Sequence, residues 1–254
     1  MLTAGVAVWN WFVESRFYFF KKVVKAFMKF IIGKKIEMTQ VWQGEKVIAV
    51  TKVQAGPCPV VQIKSAKTKD GYSAVQLGYD LRKEKNIKKP QAGHLKKAGS
   101  ISKDGKTNLK YLREFRDEVK DLKVGDVVDV TTFAAGDKIK VTGTSKGKGF
   151  QGGVRRHGWH GHNETHGTKD QVRTSGSIGA GGPQHVFKGL RMPGRMGNAR
   201  ATISNLKIVQ IDQENNILYI SGAVPGARNG LVLIYGDGEL KTVQPIAEKA
   251  EVAE

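Results

Sequence analysis

From Met28 onward the apolar positions fall in short runs, several with a period of two, which is the pattern of half-buried strands. Lys29-Phe30-Ile31-Ile32 and Met38 to Trp42 predict two short strands, and Gly44-Glu45 predicts the turn that follows. Lys46 to Val53 alternates most regularly, with Val47, Ala49, Thr51 and Val53 expected on one face. Val60 to Ile63 and Tyr72 to Leu77 continue the series, separated by Gly-Pro and Lys-Asp-Gly turn sequences. Residues 82–110 are Lys-rich and weakly patterned, so they read as a surface insertion, partly helical. Tyr111 to Phe115, Val127 to Val130 and Lys138 to Thr142 are further strand segments. The alternation returns in Thr202 to Ile211, turns through Asp212 to Asn216, runs back through Ile217 to Ser221, and ends with Leu231 to Tyr235. Many short strands joined by Gly-rich turns predict a mainly β fold closed as a barrel and not a βαβ sheet. The Ala- and Glu-rich tail after Pro245 is expected to fray.

One stretch breaks this pattern. Between Gly143 and Arg200 neither a two-residue nor a helical period runs, and 15 of the 31 glycines fall there. A structureless loop of this length inside a compact domain counts against the assignment unless the loop is functional. Ordering it costs about 1 to 2 kcal/mol per residue in backbone entropy, and glycine makes the cost larger. With little apolar material of its own, it needs an external surface to pack on. Its 10 Lys and Arg against two acids, Glu164 and Asp170, name that surface as phosphate-rich.

The whole-chain charge agrees. Against 42 Lys and Arg stand 23 Asp and Glu, a net +19 in 254 residues. Solubility asks only for about 2 to 8 charges on a small domain, so a polyanionic partner, nucleic acid or an anionic membrane, is indicated. The single cysteine, Cys58, excludes an intramolecular disulfide; among Pro57, Pro59, Val60 and Val61 it reads as a buried small hydrophobe and not a nucleophile. Residues 1–27 differ from the rest: Met1 to Val13 carries no charge, and Phe17-Tyr18-Phe19-Phe20 precedes Lys21 and Lys22. That order is the reverse of a signal peptide, and the uncharged run is shorter than the roughly 18 residues of a membrane span. A membrane-surface helix is one reading. The broken periodicity favours the other, that this is an extension upstream of a start at Met28.

Four chemistries compete for the glycine-rich stretch. Thr144 to Gly153 resembles a phosphate-cradling loop, in which glycines let backbone N–H groups approach an anion, but it lacks the Lys-Ser/Thr ending of a nucleotide P-loop. His157, His160, His162 and His166 lie within ten residues and suggest a metal centre. No helix places them, no cysteine joins them, and the zincin Glu is missing, so the metal reading is the weaker one. No nucleophile-elbow or carboxylate pair supports catalysis. An RNA segment fits better: lysines and glycines contact the backbone, while His, Arg and Trp159 stack on unpaired bases.

The residues that follow one another along the chain resemble the universal third family of large-subunit ribosomal proteins, in its bacterial form. They are Met28 to Lys35 with Met38-Thr39-Gln40, Ala55-Gly56-Pro57-Cys58, Gln76-Leu77-Gly78-Tyr79, Tyr111 to Phe115, Gly125-Asp126, Thr142 to Gly152 with Arg155-Arg156-His157, Val186-Phe187-Lys188-Gly189, Met192-Pro193-Gly194, Met196-Gly197-Asn198 and Gly222 to Gly226. The similarity covers Met28 to about Val243. It implies a translation-protein-like β-barrel over 28–142 and 201–245 with the insertion at 82–110, and a long irregular basic extension over 143–200. The extension is expected to thread through large-subunit ribosomal RNA toward the peptidyl-transferase centre. Binding early in assembly, ribosomal-protein neighbours, a cytoplasmic ribosomal location, no membrane, no cofactor and no enzymatic activity are the other expectations. The expected RNA contacts are Ser145, Lys146, Lys148, Gln151, Arg155, Arg156, His157, Trp159, His160, His162, His166, Arg173, Lys188, Arg191, Arg195 and Arg200. Three departures stand out. Glu37 replaces a usual glycine at an expected turn, Lys140 replaces an acid or amide, and Ala180 stands where many members carry a methylated glutamine, so that modification is not carried over.

Overall fold

The computed structural model describes residues 28–67, 70–97, 108–117 and 122–243. The expectations for 1–27 and for the tail beyond 245 lie outside the described residues. In chain order the strands are β1 (Met28–Gln43), β2 (Lys46–Ala55), β3 (Cys58–Lys64), β4 (Ala74–Leu81), β5 (Leu109–Phe115), β6 (Val127–Val128), β7 (Lys138–Thr144), β8 (Phe150–Gln151), β9 (Gly194–Arg195), β10 (Arg200–Asp212), β11 (Ile217–Ser221), β12 (Leu231–Asp237) and β13 (Thr242–Val243). Among the described residues two α-helices accompany them, α1 (Lys89–Lys97) and α2 (Gly153–His157).

Six strands close a barrel in the order β1-β12-β7-β10-β11-β2, every pair antiparallel. A second antiparallel sheet, β13-β6-β3-β4-β5, lies against it. The join explains why Lys29 to Gly33 is buried at every position and does not alternate: one face of β1 meets the barrel and the other meets the second sheet. Phe30 and Tyr235, paired across β1 and β12, share the outer face. The Phe115 ring of β5 stacks on Phe30 at 4.3 Å and meets Tyr235 edge-on at 5.2 Å. Burying a Phe side chain contributes roughly 1.5–3 kcal/mol, and an aromatic pair adds about 0.5–1.5 kcal/mol.

The two short strands expected before Gly44 are one strand of 16 residues. Lys34 and Lys35 do not turn the chain, and at Glu37 there is a bulge between Lys35 and Glu37 in the β1–β2 ladder in place of the expected turn. The turn at Gly44-Glu45 is present. Of the face expected on β2, Thr51 and Val53 are buried while Val47 and Ala49 are exposed, because the β1–β2 hairpin runs beyond its barrel neighbours. Val127 to Val130 is shorter than expected: the ladder ends at Val128 and Val130–Thr132 form a single 3-10 turn. Within the Lys-rich insertion α1 is anchored by Leu95, fully buried with Val61 and Leu109. Cys58 is fully buried, its Sγ 3.4 Å from the Ile32 carbonyl, and burial pushes its thiol up to about 12. The nearly buried Lys29 ammonium pairs with Asp137 at 2.5 Å and lies 5.2 Å from the Phe133 ring centre.

Candidate nucleic-acid interface

The extension leaves the barrel between neighbouring strands, since Thr144 of β7 pairs with Arg200 of β10. Its base is not the structureless loop expected from the glycines. Two legs run side by side: the Ser145 N–H donates to Ala199 O at 2.9 Å, Lys148 N–H to Met196 O at 2.9 Å and Met196 N–H to Gly149 O at 2.9 Å. The ladder continues in the two-stranded pairing of β8 with β9. Gly197 makes this approach possible; at φ +74° a Cβ would lie 2.2 Å from the Lys146 carbonyl oxygen. The phosphate-cradle reading of 144–153 changes accordingly, because the N–H groups of Ser145 and Lys148 are spent on the opposite leg and not offered to an anion.

Above the stalk sits a small knob. The helix α2 turns the chain so that the Trp159 ring lies directly on Gly153, where a Cβ would be 2.0 Å from two ring carbons. Arg156 donates to Met192 O at 2.6 Å, and His157 Nε2 lies 3.1 Å from the same oxygen. Trp159 is half-buried, with His157 at 5.9 Å. Two residues expected to touch RNA, Arg156 and His157, therefore tie the two legs together, and one face of Trp159 is already covered. Past the knob, 158–193 contains no strand or helix; the His162 N–H bond to Val172 O at 2.9 Å is one of its few internal ties.

The remaining expected contacts divide by position. Ser145, Lys146, Lys148 and Gln151 lie on the outgoing leg, where the Gln151 amide donates to Lys148 O and Ser145 Oγ accepts from the Ala199 N–H at 3.3 Å. Arg195 and Arg200 lie on the returning leg, and Arg155 on α2. His160, His162, His166, Arg173, Lys188 and Arg191 belong to the irregular tip, all exposed. Nine of the ten cations between 143 and 200 are exposed, Arg156 being half-buried, and so are six large apolar side chains: Phe150, Ile178, Val186, Phe187, Leu190 and Met192. An open cleft of about 360 Å³ in the tip is lined by Trp159, Ser175, Ser177, Ile178, Gly189, Leu190 and Arg191. Among the described residues no group of three or more His, Cys, Asp or Glu side chains is placed to hold a metal ion, and no helix is long and apolar enough to cross a membrane.

Sequence reasoning missed a second set of polar residues at the root of the stalk. Lys35 of β1 and Arg228 of the β11–β12 loop face the same cleft as Lys146, together with Glu37, Met38 and Gly226. Successive members of the three are 111 and 82 residues apart in sequence, so no local motif could have grouped them.

The comparisons with known proteins agree on one family. The family described as ribosomal protein L3 matches residues 116–216. The large ribosomal subunit protein uL3 of Herpetosiphon aurantiacus is 48% identical over 208 residues, covering 80% of this chain and 94% of that protein. The uL3 proteins of a Roseiflexus species and of Thermosipho melanesiensis are each 50% identical, over 80% and 82% of this chain and 95% and 97% of theirs.

Proposed function

The chain belongs to the ribosomal protein L3 family, a structural constituent of the large ribosomal subunit and not an enzyme, and from that premise we propose that residues 143–200 hold large-subunit ribosomal RNA directly. The observation that carries this reading is the surface of the extension. Beyond the paired legs and the knob, nine exposed cations, two exposed acids and six exposed large apolar side chains leave its surface without a packing partner in the chain. Exposed apolar patches of this kind mark interaction sites, and the accompanying charge selects a phosphate backbone.

In this reading the barrel, 28–142 with 201–245, positions the stalk, and the stalk delivers the irregular tip into folded RNA. The stalk cations Lys148, Arg155, Arg195 and Arg200 meet phosphates without reading sequence. His160, His162, His166, Arg173, Lys188 and Arg191 meet unpaired bases and backbone at the tip, which points toward the peptidyl-transferase centre as the resemblance implies. The free face of Trp159 and the adjoining cleft accept a stacked base. An extension that gains its packing from RNA suits entry while the RNA is still open, early in subunit assembly, beside other large-subunit proteins in the cytoplasm.

Crosslinking within native large subunits tests this. Peptides from 143–200 should carry most of the RNA crosslinks, in protein that co-sediments with the subunit at one copy each. Crosslinks confined to the barrel would refute the assignment of RNA contact to the extension.

A further inference from the structure

Where the stalk meets the barrel, Lys35, Lys146 and Arg228 converge on a cleft of about 320 Å³. Lys35 is the fixed member. Its ammonium donates to the Val224 carbonyl at 2.7 Å and the Gly226 carbonyl at 3.3 Å, which occupies two of its three donors. The β11–β12 loop is itself held to β1 here, through Lys35 N–H to Gly230 O at 3.0 Å and Asn229 N–H to Lys35 O at 2.7 Å. Burial first, and then the charge of Lys146, holds the Lys35 pKa below its ordinary value. An anion placed between the two ammonium groups relieves their repulsion.

The acid lining the cleft is Glu37. Its carboxylate is 3.4 Å from Arg228 on one side and 3.4 Å from Lys52 on the other. Both separations exceed the 2.7–2.9 Å of a strong charge-assisted hydrogen bond. The Arg228 side chain is 74% exposed, so this pair is weakly held and easily exchanged. Arg228 Nε also donates to Ile36 O at 3.3 Å, which keeps the guanidinium at the mouth of the cleft.

We infer that this cleft binds a backbone phosphate of RNA, and that Glu37 occupies Arg228 until that phosphate displaces it. Lys35 and Lys146 face the phosphate from the barrel side and the stalk side, and Arg228 closes over it in a fork geometry suited to phosphate oxygens. The inference rests on the RNA-binding reading of the extension, but Lys35, Glu37 and Arg228 lie outside 143–200. Lys146 connects the two: an RNA strand that follows the stalk reaches the cleft without a break. The contact fixes where the extension begins along the RNA.

The test uses the full chain and a large-subunit RNA fragment, titrated by fluorescence anisotropy at several salt concentrations. Glu37→Gln removes one carboxylate charge about 4 Å from the phosphate and should tighten binding about fivefold under water-like screening. Glu214→Gln, an equal change of net charge at the β10–β11 turn, should tighten it less than twofold. Arg228→Ala should flatten the slope of log affinity against log salt by about 0.7 to 0.9, one released counterion. Equal gains from Glu37→Gln and Glu214→Gln, or an unchanged slope in Arg228→Ala, would overturn the proposal. Lys148→Ala with Arg155→Ala separates the two levels. If that pair flattens the slope and Arg228→Ala does not, the cleft alone is lost; if neither does, the RNA reading of the extension falls as well. Thermal melts of each variant confirm that the barrel is intact.

Discussion

Replacing Lys146, Lys148 and Arg155 together with alanine should change how RNA binding depends on salt. All three are exposed, on the stalk and α2, and six more exposed cations lie between 143 and 200. If about half of the nine meet phosphates on single-strand-like RNA, log affinity should fall against log salt with a slope of about −3. Raising salt from about 50 to 200 mM would then weaken wild-type binding about sixtyfold. Removing three contacts flattens the slope by up to about 2 and leaves roughly a fourfold loss over the same interval. Arg156→Ala is the internal control. Its guanidinium is tied to Met192 O, so its loss loosens the knob while shifting the slope by less than one counterion. Anisotropy titrations at five salt concentrations give both slopes. A triple variant that keeps the wild-type slope would show that these side chains do not face phosphate, whatever else the extension touches.

Gly153→Ala forces the Trp159 ring off α2 at a local cost of about 1–3 kcal/mol; amide exchange in 153–159 should quicken while the barrel melting temperature stays put. In free protein, exchange should be slowest in the barrel ladders of β2 and β10 and fastest in 158–193, and uniform protection would contradict the need for an external surface. Cys58, buried and with its thiol near 12, should stay unlabelled by thiol reagents at pH 8 until the chain unfolds, so labelling of native protein would count against its placement. Burial pushes the Asp137 carboxyl up, but the Lys29 hydrogen bond, the Ala134 N–H and the Lys29 charge outweigh it and hold the group below its ordinary value. A depressed folded-state value means the stabilisation is present above the usual carboxylate range, about 4, and is lost as pH falls through the lower folded value. Urea midpoints should therefore fall below about pH 4 in wild type, and Asp137→Asn should lower the unfolding free energy by up to about 3 kcal/mol near neutrality while reducing that acid slope.

Strand positions were legible because one face of most barrel strands is wet: Ile217 to Ser221 and Leu231 to Asp237 alternate strictly in burial. Sequence reading failed where this condition failed. Lys34 and Lys35 look like a break, yet Lys35 satisfies its ammonium on two loop carbonyls and the strand runs on. Val47 and Ala49 alternate like core residues but sit beyond the barrel rim, a position that depends on the lengths of β11 and β12 and not on β2. In the extension the cations were identifiable by their number. Which of them serve the fold was not: Arg156 and its neighbour Arg155 look alike in sequence, and only the carbonyl of Met192, 36 residues away, separates them. Lys35 and Arg228 carry no sequence signal beyond their charge, because their grouping is made by barrel closure.

The β1–β12 pairing also sets an order in time. Lys34 pairs with Leu231 and Met28 with Asp237, partners about 200 residues apart. At about 5–20 residues per second of synthesis, β1 waits roughly 10 to 40 s for its neighbour. Over that interval the β1–β2 hairpin, the sheet of β3, β4 and β5, and the whole stretch 143–200 are already made, and β10 can pair with β7 and β11 as each emerges. The last barrel strand then slots between β1 and β7. A nascent chain stopped short of Leu231 therefore carries a finished basic arm on an open five-stranded sheet with two bare edges, β1 and β7, able to recruit a foreign strand. The clasp that prevents this is β12, seven residues long.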